Sequence, residues 1–181
     1  MAYPFRDKAP VRTCARKYSD YHRYKDSLAE DFNHHCGYTH TCDVWFGGSR
    51  TFQIDHIKPE SIYPELKNEY SNLVYCCSYV NRAKWDDDSP NYLDPCTVDY
   101  NEHFEREDDG RIVAKTDEAR YMLNRMHLNL ARYALAWKVE QLDLRIDKLV
   151  PLVEKKPELN PILSQLLLVY RQYVKQLQAT L

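Results

Sequence analysis

Glycine is scarce in this sequence, and several kinds of segment are missing from it. Only 4 Gly occur in 181 residues, which argues against long flexible linkers. No apolar run approaches the roughly 20 residues that a transmembrane helix needs, and Arg171 soon interrupts the apolar stretch at 166–170. Residues 1–25 lack the apolar core of a secretory signal. We therefore expect a cytoplasmic protein that has no membrane partner.

Charge is nearly balanced overall but unevenly distributed. The net charge of −2 argues against a general polyanion binder. Residues 1–26 carry seven Lys or Arg against three Asp or Glu, and residues 110–181 carry twelve against seven. Residues 86–109 carry ten acidic residues against one Arg. The basic flanks can approach phosphates, although solvated helix faces are the favoured interpretation of charge alone.

The middle of the chain is predicted to form a strand–strand–helix unit. Residues 51–57 and 72–77 are rich in β-branched and aromatic residues, which favours strands, and Pro59 follows the first of them. Residues 78–85 continue as a short predicted helix. A helix over 19–33 precedes the unit, since its apolar residues recur at helical spacing.

The second half of the chain is predicted to be mainly helical. Residues 86–110 are acidic and contain two prolines, which indicates an ordered loop or a subdomain. Thr116 can cap a helix that runs to about residue 150, where Pro151 interrupts it. Asn160 and Pro161 start a last helix, whose apolar stripe either packs on the core, the favoured interpretation, or docks a partner. This stripe consists of Leu163, Leu166, Tyr170, Tyr173 and Leu177.

Two adjacent residues in the predicted unit indicate metal-assisted chemistry. Asp55 and His56 end the first strand, so their side chains diverge, and one can bind a metal while the other faces a water. Asn81, on the following helix, adds a neutral oxygen. A carboxylate, an amide oxygen and waters suit Mg²⁺ or Mn²⁺. Imidazole exchanges protons near neutral pH, which qualifies His56 as a general base.

Further polar residues around this pair indicate a phosphate substrate. Asn72 precedes the second strand, where an amide can pin a loop by bonding to the backbone. Arg82 and Lys84 place positive charge beside the predicted metal, which suits a phosphate. Lys58, two positions after His56, is grouped with them as a substrate-binding candidate.

The same stretch resembles the HNH endonuclease family. The matching pieces are Asp-His-Ile-Lys-Pro (55–59), Ser-Asn-Leu-Val (71–74) and Asn-Arg-Ala-Lys (81–84). Their spacing is similar to that in the HNH module of RNA-guided DNA nucleases. Tyr-Leu-Asp-Pro-Cys (92–96) and Glu-His-Phe (102–104) look like segments of bacterial HNH nucleases that accompany ATPases in anti-phage defence. The core motif covers roughly 50–85, and a weaker resemblance extends over 30–130.

The resemblance implies a fold and a set of roles. The fold is α+β, with a small ββα-metal core in residues 1–110 and a helical extension in residues 111–181. His56 is the general base, Asp55 and Asn81 hold one Mg²⁺ or Mn²⁺, and Asn72 ties the loop. Asn81 stands where the family usually has His, a variant that the family uses. The implied partners are DNA and the ATPase of a defence system.

Two functions of different classes remain open. One is an active endonuclease that cuts DNA. The other is a catalytically inactive finger that serves as a DNA- or protein-binding module. Metal-dependent nicking of plasmid that is lost in a His56→Ala variant separates them.

One departure from the family concerns zinc. Many members hold the finger with two Cys-x-x-Cys knuckles, but here Thr39 and Val80 occupy the second position of each. Two thiols cannot close a tetrahedral site, so structural Zn²⁺ is not expected. The alternative is a rescued site, drawn from Cys36, His40 or Cys42, and Cys76 or Cys77. Cys14 and Cys96 receive no role.

Several neighbouring residues are expected to be structural. His34, His35 and His40 are expected in loops or on the surface. Trp45, Phe46 and Trp85 are assigned to the core. The acidic residues 86–88, directly after the short helix, are expected to form a solvated loop.

Overall fold

The computed structural model describes residues 2–180, and its helices and strands are intermixed along the chain. In order they are β1 (Tyr3–Pro4), α1 (Lys25–Asp31), β2 (Phe52–His56), β3 (Leu73–Cys77), α2 (Ser78–Lys84), α3 (Tyr100–His103), β4 (Phe104–Arg106), β5 (Ile112–Ala114), α4 (Asp117–Arg125), α5 (Ala131–Lys155) and α6 (Asn160–Gln178). The prediction of an α+β fold is confirmed.

A two-stranded antiparallel sheet, followed directly by a helix, forms the centre of the chain. β2 pairs with β3 in a register that places Phe52 opposite Cys77 and His56 opposite Leu73. α2 begins at Ser78, directly after β3, and packs on both strands. The predicted order of strand, strand and helix is confirmed, with bounds within one residue of those expected.

The predicted helix at 19–33 is shorter than expected. A 3₁₀ turn, Tyr21–Tyr24, precedes α1, and the side chain of Asp20 accepts a hydrogen bond from the His22 amide. Asp20 therefore caps this segment. α1 packs on β3, and its apolar residues enter the main core.

A second sheet joins residues that are far apart in the sequence. Its strand order is β1–β4–β5, with Tyr3 opposite Arg106 and Phe104 opposite Ala114, both pairs antiparallel. The expected domain boundary at residue 110 falls between β4 and β5. Strands from both sides of that boundary thus share one sheet, and α3 and β4 lie in the segment that was predicted to be an ordered loop or a subdomain.

The predicted helix at 116–150 is two helices. Thr116 caps α4 as predicted, because its side chain accepts a hydrogen bond from the Ala119 amide. The helix then ends at a left-handed His127, whose φ is 52°, and the Leu128 amide donates to the Leu123 carbonyl at 2.9 Å. This bond pattern is a Schellman ending, in which glycine usually holds the left-handed position. Pro151, by contrast, lies inside α5 and does not end it.

The apolar stripe of α6 packs within the chain. Leu177 is buried in a small core cluster with Ala136 and Val139 of α5, and Tyr170 and Tyr173 pack against this cluster. The core interpretation is therefore right for the C-terminal half of the stripe, whereas Leu163 and Leu166 are half-buried and a docking role for them stays a prediction. Within residues 2–180, no helix is both long and apolar enough to span a bilayer.

Candidate active site

A cleft of about 310 Å³ lies at the C-terminal end of β2, beside α2. Asp55, His56, Asn81 and Arg82 all line it. The structure therefore brings together the proposed base, the two proposed metal ligands and one of the basic residues. Asn72 lies behind the cleft, and Lys58 and Lys84 do not line it.

The His56 ring is held in one orientation. Its Nε2 atom lies 2.9 Å from the carbonyl oxygen of Lys67. A carbonyl only accepts, so Nε2 carries the proton and Nδ1 keeps a free lone pair when the ring is neutral. The ring of Tyr21 packs edge-on against the imidazole, with centroids 4.7 Å apart. Nδ1 is thus the atom available to accept a proton.

Asn72 ties the loop that orients His56. Its Oδ1 accepts a hydrogen bond from the Lys58 amide at 2.8 Å, and its Nδ2 donates to the Lys58 carbonyl at 2.9 Å. Nδ2 also donates to the Leu66 carbonyl at 3.3 Å. Since Leu66 precedes Lys67, these bonds fix the segment whose carbonyl holds the His56 ring.

Asp55 is buried beside a lysine. Its Oδ1 lies 3.3 Å from Nζ of Lys84, and its Oδ2 accepts a hydrogen bond from the Tyr38 hydroxyl at 2.6 Å. Burial raises the pKa of the Asp55 carboxyl, while the Lys84 charge and the Tyr38 hydrogen bond act against that rise. The carboxylate keeps unused lone pairs, because each oxygen offers two.

Lys84 was expected to contact a phosphate, but its side chain does not reach the cleft. Its ammonium is fully buried, donates to the His56 carbonyl at 2.6 Å and lies 5.0 Å from the Tyr92 ring centroid. The end of α2 packs on β2 and encloses it. Its role here is to balance the charge of Asp55.

Asn81 presents an oxygen without a hydrogen bond. Its Nδ2 donates to Oε1 of Gln53 at 2.9 Å. Oδ1 accepts no hydrogen bond from any other residue in the range 2–180. The amide oxygen of Asn81 and the carboxylate of Asp55 fit Mg²⁺ or Mn²⁺, because both cations prefer oxygen ligands.

The other basic residues differ in their surroundings. Arg82 is exposed and lines the cleft, with Nε donating to the Ser78 carbonyl at 3.3 Å. Lys58 pairs with Asp88 at 3.1 Å, and Asp88 also accepts a hydrogen bond from Tyr63 at 2.7 Å. Of the three basic candidates, Arg82 is therefore the one positioned to meet a phosphate.

Two of the three acidic residues at 86–88, Asp87 and Asp88, are anchored by hydrogen bonds, whereas Asp86 is exposed as expected. Asp87 accepts hydrogen bonds from Tyr92 at 3.1 Å, Tyr121 at 2.5 Å and Arg125 at 2.9 Å. Burial acts to raise the pKa of Asp87, but the hydrogen bonds from Tyr121, Arg125 and Tyr92 outweigh it and lower that pKa. The run thus connects the end of α2 to α4.

Trp85 is a cleft residue that the sequence reasoning missed. Its assignment to the core is wrong, because it is 72% exposed and lines the cleft. The chain leaves α2 at Trp85 with a φ of 56°, a left-handed value that is uncommon for a bulky residue. The acidic residues that directly follow Trp85 in the sequence could have indicated that its side chain is exposed.

The two residual knuckle cysteines meet in the core. Cys36 and Cys77 are both buried in the main core, and the Cys77 sulfur lies 3.7 Å from the Tyr133 hydroxyl. The Thr39 hydroxyl bonds to that of Thr41 at 2.8 Å. These positions bring together two thiols and not a four-ligand set.

Comparison with protein-family models and with curated proteins gave no match for this chain.

Proposed function

We propose that the chain is a metal-dependent endonuclease of the HNH type that hydrolyses phosphodiester bonds of DNA. In this proposal β2, β3 and α2 form the ββα core. One observation carries it: the His56 ring, held through Nε2 by the Lys67 carbonyl, shares a cleft with the oxygens of Asp55 and Asn81. A proton acceptor beside two hard oxygen donors is the minimum that metal-assisted hydrolysis needs.

The residues of the cleft divide the reaction among them. Nδ1 of His56 takes a proton from a water as the water oxygen bonds to phosphorus, and the bond from phosphorus to the leaving oxygen breaks. Arg82 binds a non-bridging phosphate oxygen through a charge-assisted hydrogen bond. Asp55 and Asn81 would hold Mg²⁺ or Mn²⁺, which supplies positive charge for the phosphate and the leaving oxygen.

A role as the effector of an anti-phage system, with an ATPase as partner, belongs to the same proposal. The motif resemblance supports it directly. The net charge of −2 adds indirect support, since DNA affinity comes largely from Lys and Arg that neutralise phosphates. A nuclease with this charge gains from a partner that holds the substrate.

One observation favours the second candidate, an inactive finger that only binds. The Lys84 ammonium at 3.3 Å from Asp55 already balances the charge that a metal ion would balance. If the ammonium displaces the metal, the cleft retains Arg82 and Trp85 for binding but loses hydrolysis.

Plasmid nicking distinguishes the candidates. The purified chain should nick supercoiled DNA with Mg²⁺ or Mn²⁺ and stop when EDTA is added. His56→Ala should reduce the rate by about 10²–10⁴, whereas a His127→Asn control, at an exposed helix end, should not. Retarded migration of DNA without nicking under all metal conditions favours the binding module. Equal nicking by His56→Ala and wild type contradicts the mechanism.

A further inference from the structure

Three metal-ligating side chains meet away from the cleft. The donor atoms of His35, Cys42 and Glu140 all lie within 4.8 Å of one another. Two of these residues come from one loop and the third from the middle of α5. His35 lies in a loop, as expected, but its side chain is only 13% exposed.

The local backbone aligns the first two ligands. His35 and Cys42 form an isolated antiparallel bridge, which places both side chains on the same side of the ladder. The loop between them is closed by a hydrogen bond from the Cys36 amide to the Thr41 carbonyl at 2.9 Å. The backbone of the loop therefore positions His35 and Cys42 without any contribution from Glu140.

The His35 ring is arranged as in a metal ligand. Nδ1 is bonded to the Asn33 carbonyl, which accepts only, so Nδ1 carries a proton. Nε2 faces Oε1 of Glu140 at 2.7 Å. Two acceptors meet at that distance only across a shared proton, and a metal ion would take the place of this proton once the two side chains move apart. Metal-binding histidines characteristically donate their other N–H to a carbonyl or carboxylate.

The donor set selects the metal. A thiolate and an imidazole favour zinc over Mg²⁺, and carboxylate oxygen completes a common zinc set. Metal–ligand bonds of about 2.0–2.3 Å separate tetrahedral donors by roughly 3.3–3.8 Å, so small side-chain rotations suffice. The fourth position can take a water, because His35 and Glu140 line a groove of about 940 Å³.

We propose that His35, Cys42 and Glu140 bind one Zn²⁺ ion, which clamps α5 to the loop at 35–42. This set shares no residue with the two knuckles of the HNH family. The same loop includes Tyr38, whose hydroxyl bonds to Asp55 at 2.6 Å. The clamp therefore fixes the helical extension to the segment that supports the cleft.

Zinc binding can be measured without any assay of cleavage. The full-length protein, stripped with EDTA, should bind one equivalent of Zn²⁺ and unfold at a higher temperature when loaded, because a ligand of the native state stabilises it. Co²⁺ in place of zinc should give a thiolate charge-transfer band and tetrahedral d–d bands. Absence of tight binding at micromolar Zn²⁺ overturns the proposal.

Matched variants test which residues bind. Cys42→Ser and Glu140→Gln, which keep the shape of each side chain, should weaken zinc binding by at least roughly 100-fold, more than a typical supporting residue costs. Cys42→Ser should also abolish the charge-transfer band. Cys14→Ser, the control, should keep both zinc binding and this band. Circular dichroism checks that each variant is folded. Zinc retained in Cys42→Ser but lost in Cys36→Ser would place the ion at the knuckles and overturn the proposal.

Discussion

Nζ of Lys84 lies 3.3 Å from Oδ1 of Asp55, and their side chains are 0% and 4% exposed. The pair connects the last turn of α2 to the penultimate residue of β2, so one contact serves both the fold and the cleft. A buried pair of this kind adds little net stability, but removal of one partner leaves an unbalanced buried charge.

The pair predicts a large stability loss for Lys84→Met. The free energy of unfolding should fall by about 3–5 kcal/mol, because Asp55 would stay buried without its counter-charge. Lys58→Met is the matched control, since its ion pair with Asp88 is partly exposed and such pairs contribute roughly 0–1 kcal/mol. Urea denaturation measures both. Similar losses in the two variants would contradict the role assigned to Lys84.

Asn81 is predicted to set the metal requirement of cleavage. Asn81→Ala removes one of the two proposed protein ligands, so the Mg²⁺ concentration for half-maximal nicking should rise by roughly 10- to 100-fold or more. Asn129→Ala, at an exposed position between α4 and α5, serves as the control. An unchanged Mg²⁺ dependence in Asn81→Ala would exclude the amide as a ligand.

Trp85 is predicted to stack on a base of the substrate. Stacking on an aromatic ring contributes about 1–3 kcal/mol per base, so Trp85→Ala should weaken single-stranded DNA binding about 5- to 150-fold. Tyr79→Ala is the control, since Tyr79 is 40% exposed but does not line the cleft. Fluorescence anisotropy of a labelled oligonucleotide gives the affinities. Equal losses in both variants would point to a non-specific effect.

Asp87 is predicted to stabilise the protein in a pH-dependent way. Asp87→Asn should lower the free energy of unfolding at pH 7 by about 1–3 kcal/mol, through weaker hydrogen bonds with Tyr121 and Arg125. The folded pKa of Asp87 is lowered, so its contribution is present above the ordinary value of 3.8 and is lost as the pH falls through the folded pKa. The two proteins should therefore converge in acid, whereas Asp86→Asn, at an exposed position, should match wild type throughout. A difference that persists to pH 2 would contradict this.

The centre of the fold was predictable from the sequence because local signals agree there. β-branched and aromatic residues mark β2 and β3, and Pro59 closes the first of them. The adjacency of Asp55 and His56 at a strand end, together with the spacing to Asn81, sufficed to predict that these residues meet.

The remaining features depend on tertiary contacts that leave no local signal. His127 holds the left-handed ending of α4 without a glycine, so the sequence predicts one helix where there are two. Pro151 lies one turn from the end of α5 on an exposed face, where a lost hydrogen bond costs less. Lys84 and Trp85 are adjacent, yet one is enclosed and the other exposed, because the chain reverses at a positive φ.

The pairing of β1 with β4 also affects how the chain is made. Tyr3 and Pro4 leave the ribosome before their partners Arg106 and Glu105, which follow on the order of 10 s later at about 5–20 residues per second. Phe5, which follows β1 and is fully buried, cannot make its native contact with Phe104 until β4 has been synthesised. Nascent chains stopped before β4 should therefore leave the segment around β1 accessible to proteases and chaperones, and this segment should be among the last to join the native structure.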